Sequence, residues 1–423
     1  MTRLDALLRP HDSNILQNHS TSLSTYIKNN PTPLSPVIEE FKDLIESDSN
    51  LFQLCCATFE EVPTKYRHDP LGHPQIRHYT HFLQLLNHVI QNAPRWDPSE
   101  YDAGYVGFPI LAALNWAMAT PAGRALFIHD GFNQQLKKVL NAWAQLLANE
   151  DSTNVLTTDP SGWLSPTALQ AMEDVANCDG HKRSFTELFV CDPSQSHFGF
   201  TCWDEFFTRR FREDVRPVAS PGSDDVIVNA CESETYQIAD KVALRDRFWV
   251  KHQPYSLVDL LAHDPLTDHF VGGTIYQAYL STVSYHRWHS PVSGTVVRAT
   301  IVPGTYYAKA PYEGYGDGHS ALVSSQAYLC EVATRGLLFI QADNPDIGLV
   351  CVVFVGMAEV STCDFQVHVG QHVSKGDEIG MFHFGGSSYS LLFGPEVQLE
   401  WADRVKKGGD GNSPVRSELA VVR

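Results

Sequence analysis

The sequence predicts an α+β fold: an N-terminal helical region, residues 1–160, followed by a mainly antiparallel, β-rich region, residues 161–423. Three observations carry this reading. Apolar residues in the first third recur at the three-and-four spacing of amphipathic helices. The segment "NEDSTNVLTTDPSGWLSPT" then interrupts the pattern with polar residues, Gly and Pro, which places a boundary near residue 160. Beyond it, short β-branched runs punctuated by Gly and Pro take over.

The helices come first. Ser35-Pro36 offers a capping hydroxyl and a Pro at the first helical position. Val37, Ile38, Phe41, Leu44 and Ile45 follow at helical spacing. "PQIRHYTHFLQLLNHVIQN" repeats the pattern. So does "GFNQQLKKVLNAWAQLLANE", whose Phe132, Leu136, Leu140, Trp143 and Leu147 share one face and read as core. Two short helices are expected at "TCWDEFFTRRF" and "PYSLVDLLAHD". The strands are "DDVIVNACES", "GTVVRATIVPG", "GLLFIQA" and "GLVCVVFVG". The longest apolar run, Ile347 to Ala358, is too short to cross a bilayer and is rich in Val, so it reads as a buried strand.

Bulk properties narrow the function. A net charge of −18 opposes nucleic-acid binding, which needs clustered Lys and Arg to displace counterions. It equally opposes docking on anionic lipid, and no stable membrane anchor is expected. The N-terminus shows no signal-peptide pattern. Nine cysteines, an odd number without a CxxC pair, fit a reduced cytosolic protein. His68, His73, His78 and His81 lack a third and fourth ligand at zinc-site spacing, so no metal is expected.

Three places in the β-rich half could carry chemistry. "SYHRWHSPVSG" holds His286 and His289; in an extended chain their rings would point to opposite faces, whereas a turn could bring both to one cavity. "VNACESETY" places Glu232 in an apolar run, where the plain reading is a solvent-facing strand residue. "FGGSSYS" puts Ser387 after two glycines, where the plain reading is a flexible turn. Together they supply a hydroxyl, imidazoles and a carboxylate, the parts of a nucleophile–base–orienter set.

The order and spacing of these motifs, with "WDEFFTRRF…RPV" and "YSLVDLL", resemble the phosphatidylserine decarboxylases over residues 185 to 395. The helical extension, "NACES" and "HFGGSS" resemble the fungal branch that includes soluble L-tryptophan decarboxylases of psilocybin biosynthesis. The resemblance makes residues 161–423 a pyruvoyl-dependent decarboxylase domain that cuts itself between Gly386 and Ser387. It implies that the Ser387 hydroxyl attacks the preceding carbonyl to give an ester. Elimination and loss of ammonia then leave a pyruvoyl group, so no PLP is needed. His289 matches the family's base and His286 the residue that returns a proton to the substrate. Tyr279 aligns with a tyrosine near the substrate. Glu232 and Ser233 stand where the family has Asp and Gly, and Glu232 is kept as the orienter of His289. The pyruvoyl ketone forms a Schiff base with the substrate amine and acts as the electron sink.

The substrate expected on this resemblance is a free aromatic L-amino acid, L-tryptophan giving tryptamine first, with phosphatidylserine as the alternative. The two cleavage chains stay associated, and a homodimer is compatible with the sequence. Two rivals remain. A processing-dead homologue would follow from the Glu232 departure. A carrier module is suggested by "SPVSGTVV…VPGTYY" and "GQHVSKGDEIG", which resemble lipoyl and biotinyl hairpins, although Lys375 sits before Gly rather than between apolar residues.

Overall fold

The structure is a computed structural model that describes residues 25, 27, 29–245, 255–315, 323–406 and 411–423. The N-terminal stretch read for a signal peptide lies outside them, as does Pro254 of the predicted "PYSLVDLLAHD" helix.

Helices dominate as far as Phe207. The helix Pro36–Ser47 opens with Pro in its first turn and buries Ile38, Phe41 and Ile45. Ser35 does not cap it with its side chain, contrary to the sequence reading: its hydroxyl has no hydrogen-bond partner among the described residues. The Ser35 backbone N donates instead to Asn87 Oδ1 at 2.8 Å, on the helix Tyr79–Val89. Tertiary pairing has displaced the local cap. The helix Asp130–Leu147 buries the predicted stripe of Phe132, Leu136, Leu140, Trp143 and Leu147.

Thirteen strands follow among the described residues: β1 Val226–Val228, β2 Glu234–Asp240, β3 Thr274–Leu280, β4 Arg287–His289, β5 Gly294–Val302, β6 Arg335–Ala342, β7 Leu349–Met357, β8 Cys363–Phe365, β9 His372–Val373, β10 Glu378–Phe382, β11 Gly386–Phe393, β12 Leu399–Trp401 and β13 Glu418–Val422. They form a seven-stranded sheet, β2-β3-β11-β7-β6-β5-β9, and two three-stranded sheets, β4-β10-β8 and β1-β13-β12. Every strand pair is antiparallel.

Alternation along the large sheet sends odd and even side chains to different cores. Tyr276, Val352, Phe354, Tyr389 and Leu391 meet Trp288 and Phe382 of the small β4-β10-β8 sheet. Trp288 lies flat on Phe354, with ring centroids 3.7 Å apart. On the other face, Ile275, Val353, Val355 and Leu392 pack against the helices Leu257–Leu260 and Gln326–Val332. Lys375, the lysine of the carrier-like hairpin, is buried, and its ammonium donates to the carbonyls of Ser220, Ser223 and Val226. It is not presented for modification.

Helices and sheets share one buried cluster, which runs from the helices into Tyr285, Tyr307, Val360 and Phe384. Phe384 sits at its centre, with ring centroids 5.5 Å from Trp143, 5.6 Å from Trp203 and 5.3 Å from Phe207. Large-to-small changes at such a site remove transfer energy and leave a cavity. Phe384→Ala is therefore expected to lower stability by about 3–5 kcal/mol, seen as a lower urea unfolding midpoint. Ile128→Ala, at a residue 53% exposed, should leave the midpoint in place.

Candidate active site

The "FGGSSYS" stretch is not a loose turn. Gly386 begins β11, which is hydrogen-bonded on both sides. Ser387 stands opposite Leu280 of β3 and Gly356 of β7, and Gly386 opposite Met357. The Ser387 hydroxyl is buried and has no hydrogen-bond partner among the described residues. An unpartnered hydroxyl inside a protein is costly and calls for an explanation. Just before the strand, Gly385 has φ +150°; a Cβ there would lie 2.5 Å from Ser361 Oγ and 2.6 Å from the Ala358 carbonyl oxygen. Only glycine fits.

His286 sits beside this strand start. Its Nε2 donates to the Thr282 carbonyl at 3.3 Å, and Thr282 lies two residues past Leu280, the partner of Ser387. Phe207 stacks on the ring at 4.1 Å, and Phe207 in turn meets Phe384 edge-on. Nδ1 is buried without a partner among the described residues, a lone pair free to take a proton. Burial, with Arg209 adding positive charge, holds the imidazole down at about 3. Tyr279 is placed differently. It stands opposite Ser388, so its side chain shares the Ser388 face of the sheet and not that of Ser387. The structure does not bring it to the nucleophile in the uncut chain.

His289 is held by other groups. Its Nδ1 lies 2.9 Å from the Gly376 carbonyl and 3.0 Å from Arg416 Nε, and its Nε2 lies 3.1 Å from the Tyr285 hydroxyl. Both ring nitrogens are therefore engaged, and no hydrogen bond joins His289 to Ser387. Burial first, then the charge of Arg416, lowers its pKa to about 3. The ring borders a cleft of about 180 Å³ lined also by Arg210, Arg216, Tyr285, Glu378 and Arg416.

Glu232 is fully buried rather than solvent-facing, and it does not touch His289. Its carboxylate takes two bonds from Arg216, Nη2 at 2.5 Å and Nε at 3.0 Å, one from Val415 N at 2.7 Å and one from the Cys178 thiol at 3.3 Å. The orienting contacts on His289 come from Gly376 and Arg416 instead. Glu232 reaches the imidazole indirectly: Val415, bonded to Glu232, is followed directly by Arg416 on His289, and Arg416 Nη1 also donates to the carbonyl of Arg216, the partner of Glu232. Sequence reasoning named neither Tyr285, Arg216 nor Arg416 for this site. Arg216 was within reach, since it is the Arg of the quoted "RPV". A third motif contact is His383 Nδ1 with the carboxylate of Asp204 at 2.8 Å, which ties "HFGGSS" to "WDEFF".

Among the described residues, no group of three or more His, Cys, Asp or Glu is placed to hold a metal ion. The residues do fit a prosthetic group made from the chain: an unpartnered serine hydroxyl, glycines where no Cβ fits, and an unpartnered imidazole nitrogen close to the strand start.

Both histidines are neutral in the fold, whereas the unfolded chain protonates them below about pH 6.5. The stability they contribute is thus complete above that value and is lost as pH falls toward 3. In an uncut Ser387→Ala background, the parent should lose about 1.4 kcal/mol per pH unit relative to a His286→Gln variant between about pH 6 and pH 4. Urea unfolding across that range measures it; parallel profiles would mean that the ring is charged in the fold.

Comparisons with known proteins identify the family. Residues 35–172 and 203–411 each match a phosphatidylserine decarboxylase family description. The chain is 46% identical over 313 residues to "Decarboxylase iboD" of Amanita muscaria (strain Koide BX008), covering 71% of this chain and 88% of that protein. It is 36% identical over 405 residues to "L-tryptophan decarboxylase" of Psilocybe cubensis, covering 92% and 87%. It is 31% identical over 201 residues to "Phosphatidylserine decarboxylase proenzyme 3" of Schizosaccharomyces pombe, covering 47% and 19%. Similarity of this extent, falling on both the helical and the β-rich parts, shows that the chain belongs to the phosphatidylserine decarboxylase family of carboxy-lyases.

Proposed function

We propose that the protein is a pyruvoyl-dependent decarboxylase of a free aromatic L-amino acid, L-tryptophan first, matured by self-cleavage between Gly386 and Ser387. The observation that carries this reading is the buried, unpartnered Ser387 hydroxyl directly after two glycines.

In the proposed maturation the Ser387 oxygen bonds to the Gly386 carbonyl carbon and the Gly386–Ser387 C–N bond breaks. The hydroxyl proton passes by way of the base to the freed amine, leaving an ester. Loss of the Ser387 α-proton then breaks the Cβ–O bond and releases Gly386 as a carboxylate; hydrolysis of the resulting enamine frees ammonia and leaves the ketone. An unactivated hydroxyl needs a base. His289 takes that part, and to do so it must give up the Tyr285 hydroxyl. Glu232 fixes the 415–416 segment that holds His289, an orienting role exerted at one remove. The pyruvoyl group supplies a carbonyl that captures the substrate amine and withdraws electrons as CO₂ leaves. His286, with Nδ1 free, is placed to move the proton that replaces CO₂.

Two observations favour a free amino acid over a lipid. No helix among the described residues is long and apolar enough to cross a membrane. The similarity to the L-tryptophan decarboxylase of Psilocybe cubensis spans 92% of this chain, against 47% for the Schizosaccharomyces pombe proenzyme.

Denaturing mass spectrometry of the purified protein should show two chains, residues 1–386 and 387–423, the smaller with a pyruvoyl end. Ser387→Ala should leave one 423-residue chain and reduce CO₂ release to background. Incubation with aromatic amino acids, other amino acids and serine phospholipid defines the substrate; CO₂ from the lipid alone would overturn the amino-acid assignment.

A further inference from the structure

Glu359 is among the buried ionisable groups that the maturation scheme leaves unused. Glu359 is fully buried in the turn after β7. Its carboxyl accepts from Leu111 N at 3.1 Å and from the Tyr307 hydroxyl at 3.1 Å. Its own backbone N donates to the Tyr307 oxygen at 3.0 Å. Leu111 belongs to the helix Pro109–Leu114, so one side chain joins the helical region to the sheet. No cation pairs with Glu359 among the described residues. Burial pushes its pKa up to about 8 despite these donors, so at neutral pH it is a hydrogen-bonding group rather than a charge.

The turn it anchors is unusual. Ala358, Glu359 and Ser361 all have positive φ, at 57°, 51° and 51°. Non-glycine residues adopt that region only where surrounding contacts impose it. The turn is moulded on the residues that precede the proposed cut. Ser361 N donates to the Phe384 carbonyl at 2.8 Å. Ser361 Oγ is bonded to the Ala358 carbonyl, and these two oxygens leave Gly385 no room for a Cβ. A Cβ on Gly386 would lie 2.6 Å from the Met357 carbonyl.

We infer that Glu359 is a positioning residue for self-cleavage: its carboxyl ties the Ala358–Ser361 turn to the helical region, and that turn holds Gly385 and Gly386 so that the Gly386 carbonyl stands where the Ser387 hydroxyl attacks it. The inference rests on the self-cleavage reading above. It gives the helical region a part in maturation, because the donor at Leu111 is 248 residues away in sequence.

The test follows the disappearance of the full-length chain with time after synthesis in a cell-free system, with melting temperatures taken in the Ser387→Ala background. Glu359→Ala should slow cleavage about ten-fold or more, since small misplacements of a reacting group are costly in rate. Glu359→Gln keeps an acceptor for Leu111 N and a polar contact for Tyr307, and should cleave within about three-fold of the parent. Tyr307→Phe keeps the ring and loses the shared hydroxyl, and should slow cleavage by about three-fold or more. Parental cleavage by a folded Glu359→Ala chain overturns the inference, as does a Gln variant as slow as Ala. Should Glu359→Ala fail to fold, Tyr307→Phe decides: cleavage at the parental rate overturns the inference and slowed cleavage supports it. A wild-type chain that never cleaves removes the self-cleavage reading itself, and the inference with it.

Discussion

The close approach of two backbone segments, Phe384–Gly386 and Met357–Ser361, governs the rest of the structure. It admits no side chain at Gly385 or Gly386, and it forces three non-glycine residues into left-handed conformations. Such a contact lasts only if both segments are held from outside. Phe384 is locked by Trp143, Trp203 and Phe207, and Glu359 is tied to Leu111 and Tyr307. Both anchors reach into the helical region. The helices therefore bear on the geometry of a peptide bond that lies in the sheet.

The place of Gly386–Ser387 in the topology has a mechanical consequence. A cut there would free a chain that begins inside β11, yet β11 is paired from Ser387 to Phe393 with β3 and from Gly386 to Leu392 with β7. The same chain would carry β12 and β13, and β13 pairs with β1 of the other chain. The Arg216–Glu232 pair takes a further bond from Val415 N. Pulling the smaller chain away would strip that backbone donor from a buried carboxylate, and a buried acceptor left short of a partner is costly. After cleavage the two chains would remain interleaved, and the new end would stay opposite Leu280 and Gly356.

Much of the architecture was legible because it rests on local periodicity. The stripe Phe132–Leu147 and the run Leu349–Met357 follow from which positions are apolar. Ser35 misled because its backbone had a better partner 52 residues away, which no local rule reveals. The site was legible in part. Ser387, His286 and His289 stood out through motif spacing. Their contacts did not, because register and tertiary approach set them. Tyr279 falls on the Ser388 face through β3–β11 register, and one residue of offset decides that. Glu232 faces Arg216 because an arginine arriving from the "RPV" segment is a stronger partner for a buried carboxylate than a neutral imidazole.

The two histidines show why burial suits the proposed chemistry. A general base must be neutral to accept a proton, and desolvation keeps both rings neutral well below physiological pH. The same desolvation makes the conjugate acid strong. A proton taken from a hydroxyl is then passed on readily rather than retained, which a maturation step needs, since the leaving amine must receive it. His286, neutral between Phe207 and the Thr282 carbonyl, must first take up a proton at its free Nδ1 before it can deliver one to carbon, and a ring that holds that proton weakly gives it up readily. The positive charge of Arg209 and Arg416 beside these rings works with desolvation in the same direction, since each disfavours the imidazolium.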